Sequence, residues 1–320
     1  MRLLPSKTKE EAVPGRRNLC REVLRMSEVK DKRLNLQKDE SITHGQMVPK
    51  PTNSIVPERD VNETPVLETM HLGIDFGGLT AVDEFNMTIG KTEIAGLIGP
   101  NGAGKTTVFN LLTKVYQPSR GTILLNGKDT AGMNTVQVNK AGIARTFQNI
   151  RLFTELTVEE NVRIGLHNQV RCSVVSDILR LPSHWRTEKE FHDRAMDLLK
   201  IFGMEYAAGF KAGSLPYGAQ RRLEIIRALA TNPSLLLLDE PAAGMNPSET
   251  AELRENIRKI RDTFKIAILL IEHDMSLVMG ICEGVAVLNY GKIIAKGTAQ
   301  EIQNNPEVIE AYLGKQKGGV

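Results

Sequence analysis

The distribution of apolar and polar positions divides this chain into blocks. Residues 1 to about 65 are rich in Lys, Arg, Glu, Asp, Asn and Pro and poor in aromatics. Such a stretch buries too little apolar surface to offset the entropy of ordering, so disorder is expected there. Within it, Arg16 to Lys30 would set Leu19, Val23 and Met26 on one face of a basic amphipathic helix, a pattern suited to a membrane surface. The segment is short and uncapped, and reads more simply as a solvated tail with a transient helix. A third reading places the natural start downstream, at Met26 or Met47. From Val66 onward, short apolar strands alternate with turns at Phe76-Gly77-Gly78 and Asn126-Gly127. Thr122-Ile123-Leu124-Leu125, just before Asn126-Gly127, reads as a hairpin arm. The apolar run Ile94 to Ile98 is followed by a helix-compatible run, Val108 to Leu112. From Leu152 to about Ala212 the period turns helical, as in Ala195, Met196, Leu198, Leu199 and Phe202. After Leu235 strands return in alternation with helices, and Ser234 to Leu238 and Ile266 to Ile271 have the length of buried strands. That alternation predicts an α/β fold with a mostly parallel sheet. A small antiparallel β portion is expected near residues 66 to 93 and 120 to 130, with a helical subdomain inserted at about 152 to 230.

The 320 residues suffice for one large or two modest domains, and 41 % are hydrophobic, ordinary for a chain with a packed core. No apolar run approaches the roughly 20 residues needed to cross a bilayer. No secretory leader is expected, because the start is charged and lacks an apolar stretch. A formal charge of +3 is too small to argue for nucleic acid. Cys20, Cys172 and Cys282 lie far apart without metal or redox spacing, which suits a reducing cytosol.

The chemistry starts at Gly99-Pro100-Asn101-Gly102-Ala103-Gly104-Lys105-Thr106-Thr107. An apolar strand precedes it and a helical run follows, the context in which a Gly-rich loop cradles phosphate. The glycines let backbone N–H groups point at phosphate oxygens, and the helix N-terminus adds partial positive charge. Lys105 is expected to reach the β- and γ-phosphates and the Thr106 hydroxyl to sit on Mg²⁺. Downstream, Leu235 to Leu238 form an apolar strand that ends in Asp239 and Glu240. A buried strand in an α/β sheet delivers Asp239 to the edge where nucleotides bind. There it suits a hold on Mg²⁺, and Glu240 suits the base that polarises the attacking water.

In order and spacing, these motifs resemble those of ABC-type ATPase subunits over residues 66 to about 314. Arg145-Thr146-Phe147-Gln148 resembles that family's Q-loop, in which the glutamine touches Mg²⁺ and senses the membrane partner. Leu215-Pro216-Tyr217-Gly218-Ala219-Gln220-Arg221-Arg222 resembles its signature motif, and Ala243-Gly244-Met245-Asn246 stands at its D-loop. His273 matches the switch histidine on the γ-phosphate, with Glu272 and Asp274 as structural neighbours; Phe76 falls where an aromatic stacks on adenine. Pro216 replaces the usual signature serine and Asn246 the usual aspartate. Proline supplies neither hydroxyl nor N–H but suits a helix start, and N–H groups near Gly218 could still face a phosphate. Asn keeps the shape of Asp without its charge. These departures, with Asn304-Asn305-Pro306 through Tyr312-Leu313-Gly314 and the insert holding Ser183-His184-Trp185, resemble the ATP-binding subunits of branched-chain amino-acid importers.

The resemblance implies ATP and Mg²⁺ as ligands and a head-to-tail pair of ATPase subunits, each ATP lying between one P-loop and the other's signature. It also implies transmembrane permease subunits, an indirect link to an external substrate-binding protein, and a peripheral place on the cytoplasmic face of the membrane. Pro216 suggests a second, different ATPase subunit whose intact serine completes this chain's site, with the reciprocal site slower; a homodimer is the alternative. Urea or amide importers remain an alternative. So does a non-transport ATPase acting on nucleic acid or ribosomes, which the absence of a second ATPase unit or coiled-coil insertion disfavours. A nucleotide sensor without turnover is set against by Asp239, Glu240 and His273.

Overall fold

The computed structural model describes residues 65–168 and 182–313. Nearly all of the polar N-terminal extension, including the Arg16 to Lys30 segment and the alternative starts, lies outside them, as do residues 315–320. In chain order the elements are β1 (Leu67–Phe76), β2 (Leu79–Ile89), β3 (Ile94–Ile98), α1 (Lys105–Leu112), β4 (Arg120–Leu125), β5 (Lys128–Asp129), α2 (Thr135–Ala141) and β6 (Ile143–Arg145). Three helices follow: α3 (Val158–His167), α4 (Pro182–Ile201) and α5 (Tyr217–Ala230). The chain then returns to β7 (Leu235–Asp239), α6 (Pro247–Phe264), β8 (Ala267–Ile271), α7 (Met275–Ile281), β9 (Gly284–Asn289), β10 (Lys292–Gly297), α8 (Ala299–Gln303) and α9 (Pro306–Leu313).

The strands form two sheets. A six-stranded sheet runs in the order β10-β9-β3-β8-β7-β6 and is parallel except for β10 at its edge. A four-stranded antiparallel sheet runs β2-β1-β4-β5. Both expected β portions are thus present. Asn126 and Gly127 take φ of 50° and 73°, the two left-handed residues that a tight hairpin between β4 and β5 requires.

The side-chain period of two along the parallel strands separates two cores. Leu236, Leu238, Ile268 and Leu270 face a core shared with α3, α5 and α6. Leu235, Leu237, Ala267 and Leu269 face the opposite core, completed by α1 and by Leu72, Phe85 and Met87 of the antiparallel sheet. With both faces covered, every residue of β3, β7 and β8 is buried, which explains their unbroken apolar runs. The parallel strands therefore bring the loop after β3 and Asp239 at the end of β7 to the same edge.

Local polar pairs fix where the helices begin. Asn134 with Gln137, Thr157 with Glu160, Asn246 with Glu249 and Thr298 with Glu301 form reciprocal capping boxes at α2, α3, α6 and α8.

Candidate nucleotide site

The loop after β3 is shaped by glycines that no other residue could replace. Gly99 has φ 150°, and a Cβ there would lie 2.0 Å from the Leu288 carbonyl oxygen. Gly104 has φ 104° and caps α1 without a side chain, with the Ala81 carbonyl 2.9 Å from where its Cβ would be. The first N–H groups of α1 are left for an anion rather than for a capping side chain. Lys105 is buried, and its Nζ donates to the carbonyls of Gly99 and Pro100 at 2.6 and 3.0 Å. Burial lowers its pKa, opposed by the nearby Glu240 and Asp239 carboxylates. Asn101, Gly102 and Thr106 are exposed along the loop, Pro100, Gly104 and Thr107 are half-buried, and Ala103 packs into the core.

The acidic pair sits at the end of β7. Asp239 pairs in register with Ile271 of β8, and its Oδ2 accepts a 2.6 Å hydrogen bond from Arg145 Nη2. Both side chains are nearly enclosed, at 8 % and 6 % exposure for Arg145 and Asp239. Arg145 also donates to Asn110 Oδ1 of α1 at 2.7 Å, and its guanidinium lies 5.3 and 5.1 Å from the Phe109 and Phe147 rings. It thereby fixes the acid's orientation against α1.

Glu240 occupies the left-handed region at φ 45°, unusual for a residue with a side chain and common where a site stores strain. Gln148 Nε2 donates to Glu240 Oε2 at 2.7 Å, and His273 Nδ1 stands 3.8 Å from the same oxygen. Behind His273, the buried Glu272 accepts from the backbone N–H groups of Ala242, His273 and Asp274 at 2.8, 3.2 and 3.5 Å. Burial raises its pKa, and those three hydrogen bonds oppose the rise. Asp274 caps α7 by accepting from Ser276 N–H at 2.8 Å. Lys105, Asp239, Glu240, Gln148 and His273, from four separate segments, thus converge at one sheet edge.

Phe76 ends β1 and is 43 % exposed, its ring edge-on to Tyr116 with centroids 5.2 Å apart. Gly218 lies on a different element, in the first turn of α5 beside Glu249. Pro216 is the residue before that helix, and its carbonyl accepts from Ala219 and Gln220 N–H at 3.0 Å each. Asn246 caps α6 by accepting from Ser248 and Glu249 N–H at 2.9 and 3.0 Å, a task its amide oxygen performs as well as a carboxylate would.

Several supporting residues carry no role in the motif reading. Arg145 is one. Arg221 and Glu224 of α5 are two more: their side chains are 0 % and 1 % exposed and pair at 3.0 Å. Arg221 donates to the carbonyls of Phe147 and Gln148 at 2.6 and 2.7 Å, while Glu224 accepts from Phe147 and Arg151 N–H at 3.4 and 3.2 Å. The pair fastens the Gln148 loop to α5. Its i,i+3 spacing was visible, but nothing in the spacing marks it as buried. Beyond that loop opens a cavity of about 460 Å³ lined by Arg145, Phe147, Arg151, Phe153, Ile164 and Arg227 among others.

Comparison with known proteins shows the family. A family model described as ABC transporter matches residues 82–243, and one described as branched-chain amino acid ATP-binding cassette transporter matches residues 292–317. The chain is 49 % identical over 251 residues to the high-affinity branched-chain amino acid transport ATP-binding protein LivG of Escherichia coli, covering 78 % of this chain and 98 % of LivG. It is 44 % identical to BraF, the corresponding protein of Pseudomonas aeruginosa, with the same coverage. Among solved structures, the ADP conformation of MJ1267, an ATP-binding cassette of an ABC transporter, superposes with a TM-score of 0.69 at 29 % identity, covering 78 % of this chain and 99 % of that one. By sequence, fold and the placing of its phosphate loop and acids, this chain belongs to the ABC transporter ATPases, in their branched-chain amino-acid group, and it binds and hydrolyses ATP.

Proposed function

We propose that this chain powers a membrane importer of branched-chain amino acids from the cytoplasmic face of the membrane, as one of two ATPase subunits bound to transmembrane permease subunits. The observation that carries the reading is the 49 % identity to LivG over 251 residues, and the meeting of Gln148 and His273 on Glu240 Oε2, beside Lys105, supports its ATPase part. An external substrate-binding protein would act only through the permease. Among the described residues no helix is long and apolar enough to cross a membrane.

In the proposed site, Lys105 and the N–H groups of Gly102 to Thr107 hold the β- and γ-phosphates. Phe76 stacks on adenine. Thr106, Gln148 and Asp239 would hold Mg²⁺: a hydroxyl, an amide and a carboxylate are hard oxygen donors, and that set fits this cation, which takes few carboxylates beside phosphate oxygens. When bound, Mg²⁺ offsets charge on the transferred phosphoryl group. Glu240 orients the attacking water and takes up its proton. His273 completes the γ-phosphate contacts. Gly218 and the start of α5 face the nucleotide of the opposing subunit.

The half-exposed Gln148 loop lies between this site and the cavity ringed by Phe147, Phe153, Ile164, Arg151 and Arg227, which suits it to receive a permease segment and report it to Glu240. Pro216 offers no hydroxyl, so the two sites of the pair differ if the second ATPase keeps a serine there. Changing the base glutamate to glutamine in one subunit at a time tests this: unequal losses of turnover support it, equal losses oppose it.

The functional test is uptake of labelled leucine, isoleucine and valine by cells lacking this chain. The reading expects uptake to fall and to return with the wild-type chain but not with Lys105→Ala. Unchanged branched-chain uptake with lost urea uptake would refute the substrate assignment.

A further inference from the structure

We propose that Tyr217 is a positioning residue for hydrolysis, closing a ring of hydrogen bonds around Glu240. This rests on the reading of Glu240 as the base. Tyr217 opens α5 and is 45 % exposed. Its hydroxyl donates to the Ala243 carbonyl at 3.1 Å and accepts from Arg221 Nη2 at 3.2 Å. The same Arg221 nitrogen donates to the Gln148 carbonyl at 2.7 Å, and the Gln148 side chain donates to Glu240 Oε2 at 2.7 Å. On the other side, Ala243 N–H donates to the Glu240 carbonyl at 3.1 Å. The circuit therefore grips Glu240 twice, at its carboxylate and at its backbone.

Within this circuit the Tyr217 hydroxyl joins α5 to the turn that follows Glu240. The ring also lies along that turn, since a Cβ on Gly244 would be 3.7 Å from it. Glu240 has the left-handed φ of 45°, a conformation that persists only when its surroundings over-determine it. Tyr217 supplies part of that determination. Because α5 is also the element proposed to face the opposing subunit's nucleotide, the hydroxyl links the surface that meets one ATP with the base that acts on the other.

The test uses the full-length chain with its copurifying subunits, as wild type, Tyr217→Phe, Gln148→Ala, the double variant and Glu240→Gln. Tyr217→Phe keeps the ring and removes the link. Expected is a kcat lower by about three- to tenfold, with KM for ATP within about twofold and an unchanged unfolding midpoint. In the Gln148→Ala background the circuit is already open, so the added loss should shrink to under about 1.5-fold. Normal turnover in Tyr217→Phe while Glu240→Gln is inactive overturns this proposal alone. So does a loss that appears in KM, or one of equal size in both backgrounds. Normal turnover in Glu240→Gln overturns the base assignment and this proposal together.

Discussion

Removing the Arg221 guanidinium is the sharpest structural perturbation available. Arg221→Met keeps the length and apolar stem of the side chain but removes a charge that is 0 % exposed. Glu224, 1 % exposed, then loses the charge paired with it at 3.0 Å and keeps only the unpaired attraction of Arg227, while the Phe147 and Gln148 carbonyls lose donors that stood at 2.6 and 2.7 Å. Breaking a buried ion pair from one side costs about 3–5 kcal/mol, mostly the penalty of the charge left behind. Glu224→Gln in the same chain removes that charge, and its amide oxygen can still accept from Phe147 and Arg151 N–H. The double variant should therefore recover at least about 2 kcal/mol of what the single variant loses. It should not recover hydrolysis, because the Gln148 carbonyl still lacks its donor. Urea denaturation followed by far-UV circular dichroism reads the stability, and steady-state phosphate release reads the activity. A loss under about 1 kcal/mol in Arg221→Met, or a double variant no more stable than the single, would refute the argument that the buried charge dominates.

Further outcomes follow from other sites. Gly99→Ala drives a Cβ to 2.0 Å from the Leu288 carbonyl and should cost more than about 3 kcal/mol, read as a collapse in the urea midpoint or in soluble yield. Asp274→Ala removes the α7 cap and should cost about 1 kcal/mol at pH 7. The Ser276 hydrogen bond holds the Asp274 carboxyl below its ordinary 3.8, so its stabilisation is present above that pH and is lost as pH falls through the lower folded value. The difference between wild type and Asp274→Ala should thus narrow below pH 3.8, as a pH series of unfolding midpoints would reveal. Phe76→Ala should weaken ATP binding about tenfold by calorimetry if the ring stacks on adenine, and leave it unchanged if Phe76 only packs on Tyr116.

The sequence disclosed features that rest on neighbours along the chain. The phosphate loop, the Leu235 to Leu238 strand with its acids, and the Asn126-Gly127 hairpin are each set by a few consecutive residues with distinctive backbone needs. The interior support was not legible in the same way. Arg145 meets Asp239 across 94 residues and Arg221 meets Gln148 across 73, and those contacts arise only once β6 lies beside β7 and α5 beneath the loop. Arg145 and Arg221 also sit within motif tracts, where a substrate-centred reading looks for ligand contacts rather than protein ones. The left-handed backbone of Glu240 has no sequence mark, because a residue with a Cβ occupies a conformation usually left to glycine.

In the proposed mechanism Glu240 acts on water at a site that Lys105 and the phosphate loop have already loaded. The direct test is phosphate release and nucleotide binding measured side by side for wild type and Glu240→Gln. Turnover of Glu240→Gln should be lower by on the order of 10²- to 10⁴-fold with ATP still bound. A loss of turnover under about threefold, or a loss that tracks weakened ATP binding, would contradict it.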